Sequence, residues 1–346
     1  YPQRDKAELG LALFQDTTLS TPAGQSCASC HQLNANFIDP RTDSPTSEGA
    51  VHGLFGNRQA PGVMYAKFVP PLTYDPAEDD YTGGLFWDGR ANTLQDQAKK
   101  PFLNPIEMGN ANQLEVVNKV KAGPFANELM RLYGADVFAD TNRAYDAITD
   151  ALAQFEKGAV FGQFTSRYDR YLAGEPTLNI AEKRGLALFE GKAGCAGCHP
   201  SQMGADKKPP MFTDFTYDNI GLPKNTNSKF FTNPPAFNPD GAGFMDKGLE
   251  ETTHRPGDVG RFRVLTLRNI AVTAPYFHNG FAKTLTEAVQ FYNKRDSGIF
   301  GPSEFPGNRN PDELGDLKLT DQEVDDIVSF LNTLTDLEFD KGIRQN

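Results

Sequence analysis

The sequence is poor in several residue types, and each shortage argues against a class of protein. It contains only four cysteines and one tryptophan among its 346 residues. Nowhere do 18 or more apolar residues follow one another, so the sequence predicts no membrane span. Lysine and arginine number 34 against 45 aspartates and glutamates, and the net charge is -11. Nucleic acid requires a basic face for its phosphates, which this composition argues against.

The length and composition predict a soluble globular protein with more than one domain. A chain of 346 residues is long enough for two domains, each with its own core. The hydrophobic fraction is 38% and the mean hydropathy is -0.51. The first residue is Tyr1 rather than methionine, from which we expect a mature chain whose signal peptide has been removed.

All four cysteines occur in two C-x-x-C-H motifs. The motifs consist of Cys27, Cys30 and His31, and of Cys195, Cys198 and His199. In such a pentapeptide the two thiols add to the vinyl groups of a haem, and the adjacent histidine binds the iron. The spacing therefore predicts two covalently bound c-type haems. Because haem is attached to this motif outside the cytoplasm, the motif also predicts a periplasmic location.

Paired cysteines have other uses, and three of them compete with haem attachment. A C-x-x-C pair can be a redox dithiol, and four cysteines can form two disulfides. Two such pairs can also hold zinc through four thiolates. Each alternative requires that the histidine after both pairs stands there by chance. Two such coincidences, with no cysteine left over, favour haem attachment.

The two motifs lie in a diverged internal repeat. The pentapeptide GLALF occurs at 10–14 and again at 185–189, each time ahead of a haem motif. Its apolar spacing predicts a helix that leads into a glycine-containing loop and then into the cysteines. The repeat therefore predicts two similar halves, each built around one haem.

Each half also ends in a helical pattern. The first is at 147–155, and the second follows a capping box formed by Thr320 and Glu323. We therefore predict a mostly α fold with two cytochrome c-like helical domains. The predicted domains are residues 1–165 and 166–346, and a stretch rich in proline, glycine and asparagine at 204–258 forms long ordered loops.

Three further stretches carry a resemblance to a known family. They read GGLFWDGR at 83–90, LNPIEMG at 103–109 and LTLRNIAVTAPYFHNG at 265–280. With the two haem motifs, they make the chain resemble the bacterial dihaem cytochrome c peroxidase and MauG superfamily over nearly its whole length. The likeness is greatest to the tyrosine-ligated MauG and MbnH type.

The resemblance implies that the N-terminal haem meets peroxide. His31 is then the proximal ligand, and the other face of the haem is open or holds water. Glu107 matches the family's distal carboxylate, which moves a proton between the peroxide oxygens. Gln97 and Pro101 match two further pocket positions. His52 lies close to the place of a loop histidine that binds this iron in many of the peroxidases, but MauG has a non-ligand histidine there, and we expect the latter role.

The resemblance assigns electron storage to the second haem, with His199 as its proximal ligand. In the peroxidases a methionine just after PYFHNG is the sixth ligand, yet no methionine follows Leu265 here. Tyr292 stands fourteen residues after His278, the spacing at which MauG has its tyrosine ligand. A thioether favours Fe(II), whereas an anionic phenolate favours higher oxidation states. The alternative for Tyr292 is an aromatic core residue of a helix.

Two further features follow from the resemblance. Trp87 is the sole tryptophan, and the family has a tryptophan between its haems that relays charge. The family also binds Ca²⁺ through an asparagine side chain and two backbone carbonyls. Thr273 and Pro275 match the carbonyl donors, and Gln59 stands where the asparagine is expected. An amide oxygen is thus preserved, in keeping with the oxygen ligands of calcium.

The sequence is compatible with two functions and argues against a third. The first is an oxidase that uses H₂O₂ to oxidise tryptophan in a partner protein, through a state in which both irons are Fe(IV). Its products are tryptophan tryptophylquinone or kynurenine. The alternative is a dihaem cytochrome c peroxidase that takes electrons from a small cytochrome c or copper protein. A passive electron carrier is disfavoured by Gln97 and Glu107 beside a haem with no evident sixth ligand.

Overall fold

The computed structural model describes residues 4–41 and 43–340, which form mainly helices and loops. Tyr1, on which the expectation of a removed signal peptide depends, lies outside these residues. The α-helices described are α1 (Lys6–Phe14), α2 (Cys27–Cys30), α3 (Leu94–Leu103), α4 (Gln113–Ala122), α5 (Ala126–Tyr133), α6 (Thr141–Glu156), α7 (Arg167–Leu172), α8 (Ile180–Glu190), α9 (Glu250–Thr253), α10 (Leu285–Lys294), α11 (Asp321–Asn332) and α12 (Leu337–Asp340). Within the described ranges, no helix combines the length and the apolar character that a membrane span requires.

The strands are few and short. They are β1 (Thr73–Asp75), β2 (Asp80–Thr82), β3 (Tyr217–Asp218) and β4 (Phe262–Arg263). β1 pairs with β2 and β3 pairs with β4, both antiparallel. The prediction of a mostly α fold is therefore confirmed. The range 204–258 consists mainly of loops with short helical turns, as its composition predicted.

The described residues form two compact units, and neither is a continuous stretch of chain. The first unit comprises 4–41, 43–68, 91–162 and 226–244, and the second comprises 69–90, 163–225 and 245–340. The change of unit after 162 lies close to the predicted boundary at 165, but the segments 69–90 and 226–244 belong to the opposite unit from the one predicted. Both segments are mainly loops, and helical periodicity does not show to which core a loop returns.

In the first unit, α1 packs against α6 with almost no space between the backbones. A Cβ atom added to Gly10 would overlap the carbonyl oxygen of Ala151, so the helices meet at this glycine. Leu9 and Leu13 of α1 and Ile148 of α6 are fully buried around this contact. The predicted helix at GLALF is thus confirmed, and its glycine is the point of closest approach.

The second unit repeats the arrangement with α8 and α11. A Cβ atom on Gly185 would overlap the carbonyl oxygen of Asp326. The predicted capping box of α11 is present, since Glu323 N donates to Thr320 Oγ1 at 3.2 Å and Thr320 N donates to Glu323 Oε2 at 2.8 Å. The helix pair in each unit therefore follows from the repeat in the sequence.

Candidate haem sites

The first C-x-x-C-H motif begins as the single helical turn α2. The N–H of His31 donates to Cys27 O at 2.9 Å, which closes this turn. The ring Nδ1 of His31 lies 3.2 Å from Phe37 O. A carbonyl oxygen only accepts, so Nδ1 carries the proton and Nε2 keeps its lone pair. This is the tautomer in which a histidine ligates a metal.

The second motif has the same construction. The N–H of His199 donates to Cys195 O at 2.9 Å, and its Nδ1 donates to Phe212 O at 2.7 Å. Removal from water lowers the pKa of both His31 and His199, which keeps the imidazoles neutral. Both histidines are thus neutral and carry their proton on Nδ1, which leaves Nε2 available as a metal ligand.

The four cysteines do not resemble those of a redox dithiol. They are free thiols, so the structure forms neither of the two disulfides of the alternative interpretation. Burial raises the pKa of Cys30 to about 11 and that of Cys195 and Cys198 to about 12, and it raises the pKa of Cys27 further. A redox dithiol needs a lowered thiol pKa. Across 4–41 and 43–340, no three or more His, Cys, Asp and Glu side chains are grouped to hold a metal ion.

Gln97 and Pro101 lie on one helix of the first unit. They are four residues apart in α3, and positions at this spacing share a face of a helix. Thr93 caps α3 by accepting from the N–H of Asp96 at 3.0 Å. Because Pro101 has no N–H, the carbonyl of Gln97 lacks its usual helical partner at that position.

Glu107 follows α3 and is held by the residue that ends this helix. Asn104 Nδ2 donates to Glu107 Oε1 at 2.9 Å, while Asn104 Oδ1 accepts from Ile106 N at 2.9 Å. The negative charge of Glu107 contributes to the raised pKa of Cys27 and Cys30. The role of Glu107 as the distal carboxylate stays a prediction.

His52 is a surface residue in this structure. Its side chain is 98% exposed, and Nδ1 lies 2.8 Å from Glu48 Oε1. An exposed imidazole beside a carboxylate four residues away in a loop is a common surface pair. The expectation that His52 does not bind iron stays a prediction.

Tyr292 lies in α10, near the second haem motif. Its ring centroid is 5.7 Å from that of Phe277 and 6.0 Å from that of Phe291. Burial raises the pKa of its phenol, and the charges of Cys195 and Cys198 raise it further. α10 also shares a core with the second motif, since Leu285, Ala288 and Val289 belong to the cluster of buried side chains against which Cys195 packs. Ligation of iron by Tyr292 stays a prediction.

The surroundings of Trp87 hold its side chain in place. The indole is 9% exposed and meets His278 edge-on, with the ring centroids 6.3 Å apart. His278 in turn stacks on Phe262 at 3.5 Å with an interplanar angle of 7°. The backbone is fixed as well, since Arg263 N donates to Trp87 O at 2.9 Å.

Comparison with known proteins identifies the family. A family model described as di-haem cytochrome c peroxidase matches residues 4–177. The methylamine utilization protein MauG of Paracoccus denitrificans is 37% identical, over 98% of this chain and 91% of its own. The chain belongs to the dihaem cytochrome c peroxidase family. It is therefore an oxidoreductase of the dihaem type, and the family implies haem c as its cofactor.

Two other members of the family are also similar over most of the chain. The cytochrome c551 peroxidase of Nitrosomonas europaea is 33% identical, over 96% of this chain and 80% of its own. The crystal structure of the diheme peroxidase BthA from Burkholderia thailandensis matches with a TM-score of 0.87 and 32% identity, over 98% of this chain and 88% of that one. The fold of this chain is therefore that of dihaem peroxidases.

The predicted calcium ligands divide between the two units. Gln59 is buried in the first unit, whereas Thr273 and Pro275 are half-buried in the second. A calcium site needs all three to converge on one ion, and this site stays a prediction.

Glu156 and Asn104 are two residues near the first motif that sequence reasoning missed. Glu156 ends α6 and is only 6% exposed, and burial raises the pKa of its carboxyl to about 8. Its charge is the second largest cause of the raised pKa of Cys27. The sequence did contain a signal that Glu156 is buried, because this residue continues the buried helix face of Ile148 and Leu152 at four-residue spacing. For Asn104, the signal was the Asn-Pro dipeptide, which is typical of a turn in which the asparagine side chain hydrogen-bonds to the backbone of the same turn.

Proposed function

We propose that this protein is an H₂O₂-dependent oxidase that oxidises tryptophan in a partner protein by long-range electron transfer, forming tryptophan tryptophylquinone or kynurenine. The observation that supports the proposal is that α10, the helix of Tyr292, shares a core with Cys195, in a sequence with no methionine after Leu265. The 37% identity to a MauG protein supports it. We further propose a periplasmic location.

The residues present fit two haems. Cys27, Cys30 and His31 would hold one, and Cys195, Cys198, His199 and Tyr292 would hold the other. When bound, the haems supply the exchange of electrons with peroxide. The neutral histidines donate Nδ1–H to Phe37 O and Phe212 O, so their Nε2 atoms would be the ligands of the iron. The phenol of Tyr292 would lose its proton on binding, as metal ligands do.

The first unit would handle the protons of peroxide. The carboxylate of Glu107 takes the proton from one peroxide oxygen and returns it to the other. Asn104 positions this carboxylate through its hydrogen bond to Oε1. Gln97 orients peroxide or water from α3, one turn before Pro101. Glu107 and Gln97 therefore act on peroxide, whereas Asn104 acts through Glu107.

The second unit would handle electrons. The buried and tightly held Trp87 relays them, since a rigid indole changes its surroundings little when its charge changes. A partner protein is too large to reach the haem, so its electrons must travel through the protein.

The first experiment tests Tyr292. In the holoprotein, Tyr292→Phe is expected to alter the optical spectrum of the six-coordinate haem while the mass shows both haems still attached. Tyr276→Phe is the matched control, because this buried tyrosine donates its hydroxyl hydrogen bond to Ile270 O at 3.0 Å. An unchanged spectrum in Tyr292→Phe would show that Tyr292 is not a ligand.

The second experiment tests the product. Candidate partner proteins are treated with the holoprotein and H₂O₂, and their tryptophans are examined by mass spectrometry. We expect added oxygen or a crosslink that requires both H₂O₂ and Tyr292.

The alternative function is a cytochrome c peroxidase, which the 33% identity to a cytochrome c551 peroxidase favours. Rapid consumption of H₂O₂ with reduced cytochrome c, together with unmodified tryptophans, would establish this alternative.

A further inference from the structure

The hairpin of β1 and β2 carries two tyrosines on one face. Tyr74 and Tyr81 stand directly opposite each other in the register, and their ring centroids are 5.0 Å apart. The guanidinium of Arg255 lies over both rings, 4.8 Å from the centroid of Tyr74 and 5.6 Å from that of Tyr81. The two rings are therefore close enough to exchange an electron, and a cation holds them together.

Tyr74 also has a proton acceptor. Its hydroxyl donates to Asp79 Oδ1 at 2.6 Å, and Arg255 Nη2 donates to the same oxygen at 2.7 Å. The hydrogen bond from Tyr74 lowers the pKa of Asp79, so the carboxyl is ionised near neutral pH. A tyrosine that loses an electron must also lose its phenolic proton, and an ionised carboxylate in hydrogen-bond contact takes it up.

Short links connect this hairpin to the second haem motif. Gly83, two residues after Tyr81, donates its N–H to Phe215 O at 2.9 Å. The adjacent Asp214 donates its N–H to Cys198 O at 3.0 Å. Two backbone hydrogen bonds and a few covalent bonds thus join the tyrosine pair to a cysteine that would attach haem.

Exposure distinguishes Tyr74 from the other tyrosines and from the sole tryptophan. It is 40% exposed, and it is the one tyrosine in 4–41 and 43–340 with an exposed side chain. The sole tryptophan, Trp87, is buried. A protein partner in contact with the surface can therefore meet Tyr74 directly, but not Trp87.

We propose that Tyr74 is the surface residue through which electrons from the partner protein enter, with Tyr81 as the next carrier and Asp79 as the proton acceptor. This inference rests on the proposed function. Tyr74 gives one electron inward through Tyr81 and one proton to Asp79. It then regains an electron from a partner tryptophan and its proton from Asp79. Two such rounds supply the two electrons with which H₂O₂ and two solvent protons become two water molecules, while the partner releases two protons.

The test uses the holoprotein without a partner. One equivalent of H₂O₂ is added, the sample is frozen quickly, and the organic radical is measured by electron paramagnetic resonance with ring-deuterated tyrosine as the identifying label. We expect a tyrosyl radical in the wild type and its loss in Tyr74→Phe. In Asp79→Asn the yield should fall, because an amide cannot take up the proton.

Tyr133→Phe is the matched control. The hydroxyl of Tyr133 donates to Asp150 Oδ2 at 2.9 Å and Lys6 lies 4.2 Å from its ring centroid, yet this tyrosine is only half-exposed and belongs to the first unit. Tyr133→Phe should leave the yield of the tyrosyl radical unchanged.

The outcomes separate this inference from the proposed function. A radical that persists in Tyr74→Phe, or no radical in a wild type whose haem bands respond to H₂O₂, would overturn the role of Tyr74. A Tyr74-dependent radical with no modified tryptophan in any partner would support the role of Tyr74 and overturn the proposed tryptophan oxidation. Haem bands that do not respond to H₂O₂ would overturn both.

Discussion

The two haem motifs stand on equivalent helix pairs but in different surroundings. Gly10 meets the backbone of Ala151 in the first unit, and Gly185 meets that of Asp326 in the second. The two contacts occupy equivalent positions of the repeat, so Glu156 at the end of α6 corresponds to Leu331 in α11. One unit therefore buries a carboxyl where the other buries an apolar side chain.

Both motifs have further carboxylates nearby. Asp39 and Glu107 raise the pKa of Cys30, and Asp214, Asp218 and Glu313 raise that of Cys198. The second motif's unit also has Tyr292 among phenylalanines. The comparison teaches that the repeat preserves the helix pair and the C-x-x-C-H turn, while the neighbouring residues differ, and our proposal assigns proton transfer to those of the first unit and electron transfer to those of the second.

The largest expected effect tests the proton transfer that we propose for the first unit. Glu107→Gln should lower the rate of H₂O₂ consumption by about 10²–10⁴-fold, since an amide cannot take up and return a proton. Haem attachment should not change. Glu128→Gln is the control, because Glu128 pairs with Arg4 at 3.2 Å on the surface of the same unit. Equal rates for Glu107→Gln and the wild type would show that another group moves the proton.

The next effect concerns Glu156 and pH. Its pKa is raised from 4.5 to about 8 in the folded protein, so the folded state holds this proton more tightly than the unfolded one. This contribution to stability is fully present below pH 4.5 and is lost as pH rises toward about 8. Its loss costs about 5 kcal/mol.

Glu156→Gln and Glu156→Leu, the latter copying Leu331, should remove this dependence. Denaturant unfolding of the holoprotein at pH 5 and pH 9 measures how the free energy of unfolding depends on pH. We expect this free energy to fall less in both variants than in the wild type when the pH is raised from 5 to 9. An identical loss in all three proteins would assign the pH dependence to other groups.

The smallest effect tests what the two units share. Gly10→Ala and Gly185→Ala should each destabilise the protein by about 3 kcal/mol, because the new Cβ overlaps a carbonyl oxygen of the facing helix. This cost exceeds the roughly 1 kcal/mol that alanine gains over glycine inside a helix. Gly243→Ala and Gly257→Ala meet nothing within 4 Å and serve as controls, one in each unit. Thermal unfolding compares them, and a difference between Gly10→Ala and Gly185→Ala would show that the two contacts are not equivalent.

Local patterns in the sequence were sufficient for several features. The GLALF helices and the capping box of Thr320 and Glu323 were predicted correctly, because caps and apolar periodicity act within a few residues. In the structure, residues 69–90 and 226–244 belong to the opposite unit from the one predicted. The sequence could not show this, because a loop has no periodicity that indicates which core it joins.

The sequence by itself pointed to the family and predicted haem attachment, since a C-x-x-C-H motif contains its two thiols and its ligand within five residues. Only the tertiary structure showed which distant residues share surroundings. It put α10 in the core against which Cys195 packs, buried Glu156 at the end of α6, and joined Tyr74 to Arg255. The physical reason is that charge and hydrogen bonding act over a few ångströms in space, and folding alone sets those distances for residues far apart in the chain.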